Sequence, residues 1–166
     1  MYKRILVPVD GSDTSTKALV AALQMARESG AQVRIIHVQE DLAQVLAYAP
    51  YGAYPGDLAK TLRDNGQKIL ADALAVAQSS GVASDSCLVD AKGLRLGEAV
   101  TQQAERYSAD LLVLGTHGRR GLGRVLLGSG AEQVIRLSPI PVLVIRAPEQ
   151  PPMPVKAGQA ELLGRA

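Results

Sequence analysis

Short, near-continuous apolar runs separated by helical spacing leave this chain few architectures to choose from. The runs are RILVPV at 4–9, QVRIIHV at 32–38, DLLVLG at 110–115 and PVLVIR at 141–146. A strand that is apolar along its length, rather than at every second residue, belongs in a parallel sheet with helices on both faces. A fifth run, ASDSCLVDA at 83–91, is less apolar and is expected nearer an edge. Between the runs, apolar residues recur every three or four positions. Leu19, Ala22, Leu23 and Ala26 mark one helix, and Leu58, Leu62, Ile69, Ala73 and Val76 a second. Leu96, Val100, Ala104 and Tyr107 mark a third, and Ala131, Val134 and Ile135 a fourth. Gly30 and Gly81 stop the first two, and Gly66 weakens the second by roughly 1 kcal/mol relative to alanine. Unbroken alternation of strand and helix predicts one doubly wound α/β domain over 1–147.

Two segments stand apart. Residues 39–56 read as a long connection in which Tyr48, Tyr51 and Tyr54 recur beside two prolines. Residues 148–166 form a proline-rich extension outside the domain, in which QAELLGR could make a short helix against a partner.

Composition narrows the function classes. Net charge is +2, from 18 basic and 16 acidic residues, and there is no Phe or Trp. Nucleic-acid binding usually needs clustered charge or stacking aromatics, and beyond Arg119, Arg120 and Arg124 neither is evident. Cys87 is the only cysteine, so no intrachain disulfide forms, and its apolar neighbours read as a small buried hydrophobe. No apolar run approaches membrane-spanning length and the start is too soon polar for a signal peptide, so a cytoplasmic address is expected.

In open α/β sheets ligands sit beyond the carboxyl ends of the strands, where strand order reverses. Two connections are rich enough to serve there. VPVDGS follows the first strand, and its Asp10 could accept hydrogen bonds from a ligand or simply shape the turn. VLGTHGRRGLGRVLLGSGAE, at 113–132, holds six glycines and three arginines. Gly115 and Gly118 let backbone approach a ligand or adopt positive φ. Ser129 and Glu132 have the spacing of a capping box, so Ser129 is expected to open the fourth helix, whose first N–H groups and dipole suit phosphate. A plain flexible loop with a capped helix is the competing reading. Neither a Walker-type G-x4-G-K-[ST] nor a G-x-G-x-x-G after the first strand is present.

KRILVPVDGSDTSTKAL and ADLLVLGTHGRRGLGRVLLGSGAEQVIRLSPIPVLVIR together resemble the two ends of the universal stress protein family, over residues 2–146. Gly115, Gly118, Gly128 and Ser129 match the G-x2-G-x9-G-[ST] signature of its nucleotide-binding branch. The resemblance implies a five-stranded parallel sheet in order 3-2-1-4-5, of the adenine nucleotide alpha hydrolase type. It implies ATP, or ADP or AMP, in the crevice, with any Mg held through the phosphates, and a homodimer, which the apolar last strand would join edge to edge. By position, Pro8 and Asp10 would line the adenosine end and Val38 would touch adenine. Leu114 and Gly115 would lie beneath the nucleotide, and His117 and Gly118 would border ribose and phosphates. Gly128, Ser129, Gly130 and Ala131 would hold the phosphates. Gly130 stands where the family usually has an apolar branched residue, and Ala131 lacks a hydroxyl that some members place there. Backbone N–H groups are then left to hold phosphate.

His37 lies within an apolar strand and reads as a satisfied core histidine, whereas His117 lies in the glycine-rich stretch. No nucleophile–base pair and no metal-ligand spacing is evident. The sequence therefore favours an adenine-nucleotide-binding regulatory protein of the stress response with an unidentified protein partner. A slow ATPase and a nucleotide-independent interaction module are the alternatives.

Overall fold

The computed structural model describes residues 1–39, 41–47, 55–116 and 127–146. Along the chain run β1 (Arg4–Pro8), α1 (Asp13–Ser29), β2 (Gln32–Gln39), α2 (Leu42–Ala47) and α3 (Pro55–Ser79). Then follow β3 (Ser84–Asp90), α4 (Leu96–Tyr107), β4 (Leu111–Gly115), α5 (Ser129–Leu137) and β5 (Val142–Ile145). The five strands are parallel, in the order β3-β2-β1-β4-β5. The weakly apolar β3 lies at one edge, as its composition suggests, and β5 at the other.

The period of two in β1 shows why both faces are covered. Ile5 and Val7 point into a core with Val33, Ile35 and Val113, closed by Leu19, Ala22, Leu23 and Ala26 of α1 and Leu70 and Ala77 of α3. Leu6, one residue out of phase, joins Ile36, Leu112 and Leu114 beneath Val100, Ala104 and Tyr107 of α4 and Val134 of α5. Cys87 is half-buried at the margin of this second core rather than fully buried. At the far end of the sheet from the candidate site, Arg34 forms a two-bond pair with Asp85, at 2.7 and 2.5 Å, and lies 4.3 Å from the ring centre of Tyr107. Arg4 donates to the Tyr107 carbonyl at 2.9 Å.

One expectation changes and another gains its reason. The 39–56 connection is not structureless, because Leu42, Val45 and Leu46 recur at helical spacing and build the single-turn helix α2, begun by Val45 N–H to Asp41 O. Tyr48, Tyr51 and Tyr54, like the extension 148–166, lie outside the described residues. Gly66 sits inside the 25-residue α3 because a Cβ there would come 2.7 Å from Leu88 Cδ1 and 3.0 Å from His37 Cδ2. The helix gives up local propensity to lie close on β2 and β3.

Candidate functional site

The crevice forms at the carboxyl edge of β1 and β4, which pair through Ile5–Leu111 and Leu6–Leu112. Their outgoing connections lead to opposite faces, so strand order reverses here. Pro8 ends β1 and so gives up no interior ladder bond. Val9 continues one step further, its N–H donating to Ile36 O at 2.8 Å. Gly11 then turns the chain at φ 79°.

Asp10 shapes this turn. Its Oδ1 accepts from Ser12 N–H at 3.0 Å and from Ser12 Oγ at 2.6 Å, and the Asp10 N–H donates to Ser15 Oγ at 3.4 Å. Ser12 in turn caps α1 by accepting from Ser15 N–H at 3.2 Å. The side chain is half-buried at the crevice, where a ligand would meet a carboxylate already fixed in direction.

Gly115, at the end of β4, is required for a reason its spacing in the sequence does not reveal. A Cβ there would lie 2.8 Å from Thr14 Cγ2 and 2.9 Å from both the carbonyl carbon and oxygen of Thr14. It is not at positive φ. What approaches its backbone is the start of α1, so the β1–α1 turn is drawn against the end of β4. The next residue, Thr116, is buried, its N–H donating to Ile145 O at 2.9 Å and its carbonyl accepting from Gly128 N–H at 2.7 Å. That last bond closes the glycine-rich connection at its base and brings the start of α5 beside β4. Thr116 escaped the sequence reading, although a hydroxyl placed directly after an apolar strand was the available signal.

The expected capping box at Ser129 does not form. Gly128 is the N-cap and Ser129 the first helical residue, with Glu132 N–H to Gly128 O, at 2.9 Å, as the first intrahelical bond. Gly128 has no side chain to cap with, so the N–H groups of Ser129, Gly130 and Ala131 head a helix whose N-cap side chain cannot satisfy them. The structure thus brings Pro8, Asp10, Leu114, Gly115 and Gly128–Ala131 to one edge of the sheet. Val38 lies on the same edge, near the end of β2 and half-buried. His117 and Gly118 lie outside the described residues.

A concavity of about 520 Å³ lies not over β4 but between α1 and α3. It meets the crevice through Val9 and Gly11 and runs along Leu19, Ile69 and Ala73. Among the described residues no group of three His, Cys, Asp or Glu side chains could hold a metal ion, and no helix is long and apolar enough to cross a membrane.

Comparison with known proteins agrees with this architecture. A universal stress protein from Methanocaldococcus jannaschii is 35% identical over 155 residues, 90% of this chain and 85% of that protein. A member of the family from Burkholderia pseudomallei, solved by crystallography, superposes with a TM-score of 0.69 at 32% identity, over 88% of this chain and 97% of that one. Another universal stress protein, solved in complex with cAMP, superposes with a TM-score of 0.61 at 28% identity, over 87% of this chain and 97% of that one. The model of the universal stress protein family matches residues 1–146, and the chain belongs to that family.

Proposed function

We propose that this chain binds an adenine nucleotide across the carboxyl edge of β1 and β4 and acts as a nucleotide-dependent regulator in the stress response. The observation that carries the reading is the junction at Gly115. There the α1 start, the end of β4 and the start of α5, with glycine as its N-cap, lie side by side. Amides at a helix start, aided by the helix dipole, favour phosphate. The cAMP held by a relative at 28% identity supports the adenine class. ATP is the preferred nucleotide, with ADP and AMP as variants of the same chemistry, and Mg would take its ligands from the phosphates.

In this reading Pro8, Asp10 and Val38 meet the adenosine end, and Leu114 and Gly115 lie beneath it. His117 and Gly118 border ribose and phosphates, and Gly128, Ser129, Gly130 and Ala131 hold the phosphates. Signalling follows from dimerisation through β5. That strand is an edge, its Val142–Ile145 are only half-buried, and Ile135 and Leu137 of the preceding helix are exposed. Nucleotide shifts this surface only by binding two of its states unequally.

The test is to purify the protein without added nucleotide, denature it and chromatograph the released small molecules. Near-stoichiometric adenine nucleotide is expected, and the ATP to ADP ratio reports turnover. An empty protein that millimolar Mg-ATP does not stabilise against heat would refute the reading. Sedimentation at micromolar concentration is expected to give a dimer mass, and a monomer would refute the β5 interface.

A further inference from the structure

We infer that His37 is a positioning residue for the nucleotide site, acting through the Val9–Asp10 peptide; this rests on the nucleotide reading above. β1 has run out of ladder at this point, since its last registered partner pair is Pro8–Ile36. The peptide that carries Asp10 into the crevice is instead gripped at both ends by side chains. Its carbonyl, on Val9, is 2.7 Å from His37 Nδ1, and its N–H, on Asp10, donates to Ser15 Oγ at 3.4 Å. A carbonyl can only accept, so the imidazole carries a proton on Nδ1 and donates it. Rotation of this peptide would swing Asp10 and, through its Oδ1, the Ser12 cap of α1.

The ring is itself held. A Cβ at position 66 would stand 3.0 Å from His37 Cδ2 and 2.7 Å from Leu88 Cδ1, so an alanine there would press on the ring and on Leu88. The costly glycine inside α3 and the histidine inside an apolar strand therefore share one explanation. The helix comes close enough to clamp the ring, and the ring fixes the turn that bears the crevice carboxylate. Position 37 then needs a donor at the place of Nδ1, and neither a charge nor the second ring nitrogen.

The experiment uses the full chain, Mg-ATP as probe, and two variants. His37→Leu removes the donor, whereas His37→Asn places an amide N–H near the position of Nδ1. One net hydrogen bond is worth about a factor of five to ten in an equilibrium. His37→Leu is expected to weaken Mg-ATP binding by about that factor and to speed hydrogen exchange of the Asp10 and Ser12 amides. His37→Asn is expected to keep affinity within about twofold of the parent and to keep both amides slow. Gly66→Ala, which displaces the ring without touching the crevice, should resemble His37→Leu. Equal affinities for parent and His37→Leu, or equal losses in His37→Leu and His37→Asn, would overturn the inference. If the parent protein itself fails to bind Mg-ATP, the nucleotide reading falls, and exchange at Asp10 and Ser12 still decides whether His37 holds the turn.

Discussion

Gly115→Ala separates two explanations of a glycine that a sequence motif leaves fused. If the glycine exists only so that a ligand can approach, a methyl group should lower nucleotide affinity and leave the empty protein as stable as before, or slightly more so. The structure argues otherwise. The new Cβ would meet Thr14 Cγ2 at 2.8 Å and the Thr14 carbonyl carbon and oxygen at 2.9 Å. Two of those atoms are backbone, and Thr14 is buried at the start of α1, so the helix start itself must move. Overpacking of this kind costs about 1–3 kcal/mol. Alanine's smaller unfolded-state entropy returns roughly 0.5–1 kcal/mol. The net loss of about 1–2 kcal/mol lowers the melting temperature of a domain this size by about 2–8 °C. The assay is thermal unfolding of nucleotide-free protein, followed for Gly115→Ala and for the double variant with Thr14→Ser. Losing Cγ2 removes one of the three close contacts, so the double variant should recover only part of the loss. An unliganded Gly115→Ala protein that melts at or above the parent temperature would refute the claim that α1 occupies this space.

Three further outcomes follow from the same fold. Gly130→Ala should raise the melting temperature by about 1–3 °C, because among the described residues the close neighbour of the new methyl is the tip of Leu96, which is 43% exposed and free to swing aside, while alanine improves the helix; a loss in the same melt would show that Leu96 is held. Gly97→Ala should destabilise by about 1–3 kcal/mol in urea unfolding, since its Cβ would lie 2.6 Å from Gln133 Cβ and 2.9 Å from the Gln133 carbonyl carbon, where α4 meets α5. Burial first, then the Asp85 carboxylate, raises the Tyr107 hydroxyl above its ordinary value of 10.0, against the opposing pull of Arg34 and Arg4. The unfolded chain sheds that proton first, so the contribution is complete below about pH 10 and is lost as pH climbs toward the folded value. Tyr107→Phe should therefore lose less stability than the parent as pH rises above 10.0 in denaturant titrations, and parallel curves would contradict this.

Strand and helix order was legible because each buried strand is apolar on both faces and each helix shows one apolar stripe. Edge positions were legible too: β3 is the least apolar strand, and Asp85 and Ser86 in it are exposed while only Val89 is buried. The short α2 was not, since six residues, LAQVLA, are too few for a helical period to be distinguished from a loop. At the site, the residue types were visible but their partners were not. Asp10 reads equally as a ligand contact or a turn residue until its bonds to Ser12 are seen. Ser129 has the spacing of a cap, yet the chain places Gly128 in that role, because the bond from Gly128 N–H to Thr116 O fixes where the connection ends. That bond joins residues twelve apart, and no local pattern encodes it.

The glycines of the 115–130 stretch therefore do unlike work. Gly115 is small to admit α1, and Gly128 opens α5 without a capping side chain while anchoring the connection to β4. Spacing fixed by helix and strand contacts would survive in a chain that had lost its ligand, so an intact motif is by itself weak support for nucleotide binding. The stronger support is the helix start itself. The N-cap of α5 is a glycine that makes no side-chain bond to the first-turn amides, whereas a serine or aspartate at position 128 would stabilise that helix by a few tenths of a kcal/mol. Gly128→Ser consequently discriminates: it should leave the melting temperature of the empty protein unchanged or raised by about 1 °C and reduce its stabilisation by Mg-ATP. A variant that keeps its heat stability and the full Mg-ATP response would mean that phosphate does not use this helix start.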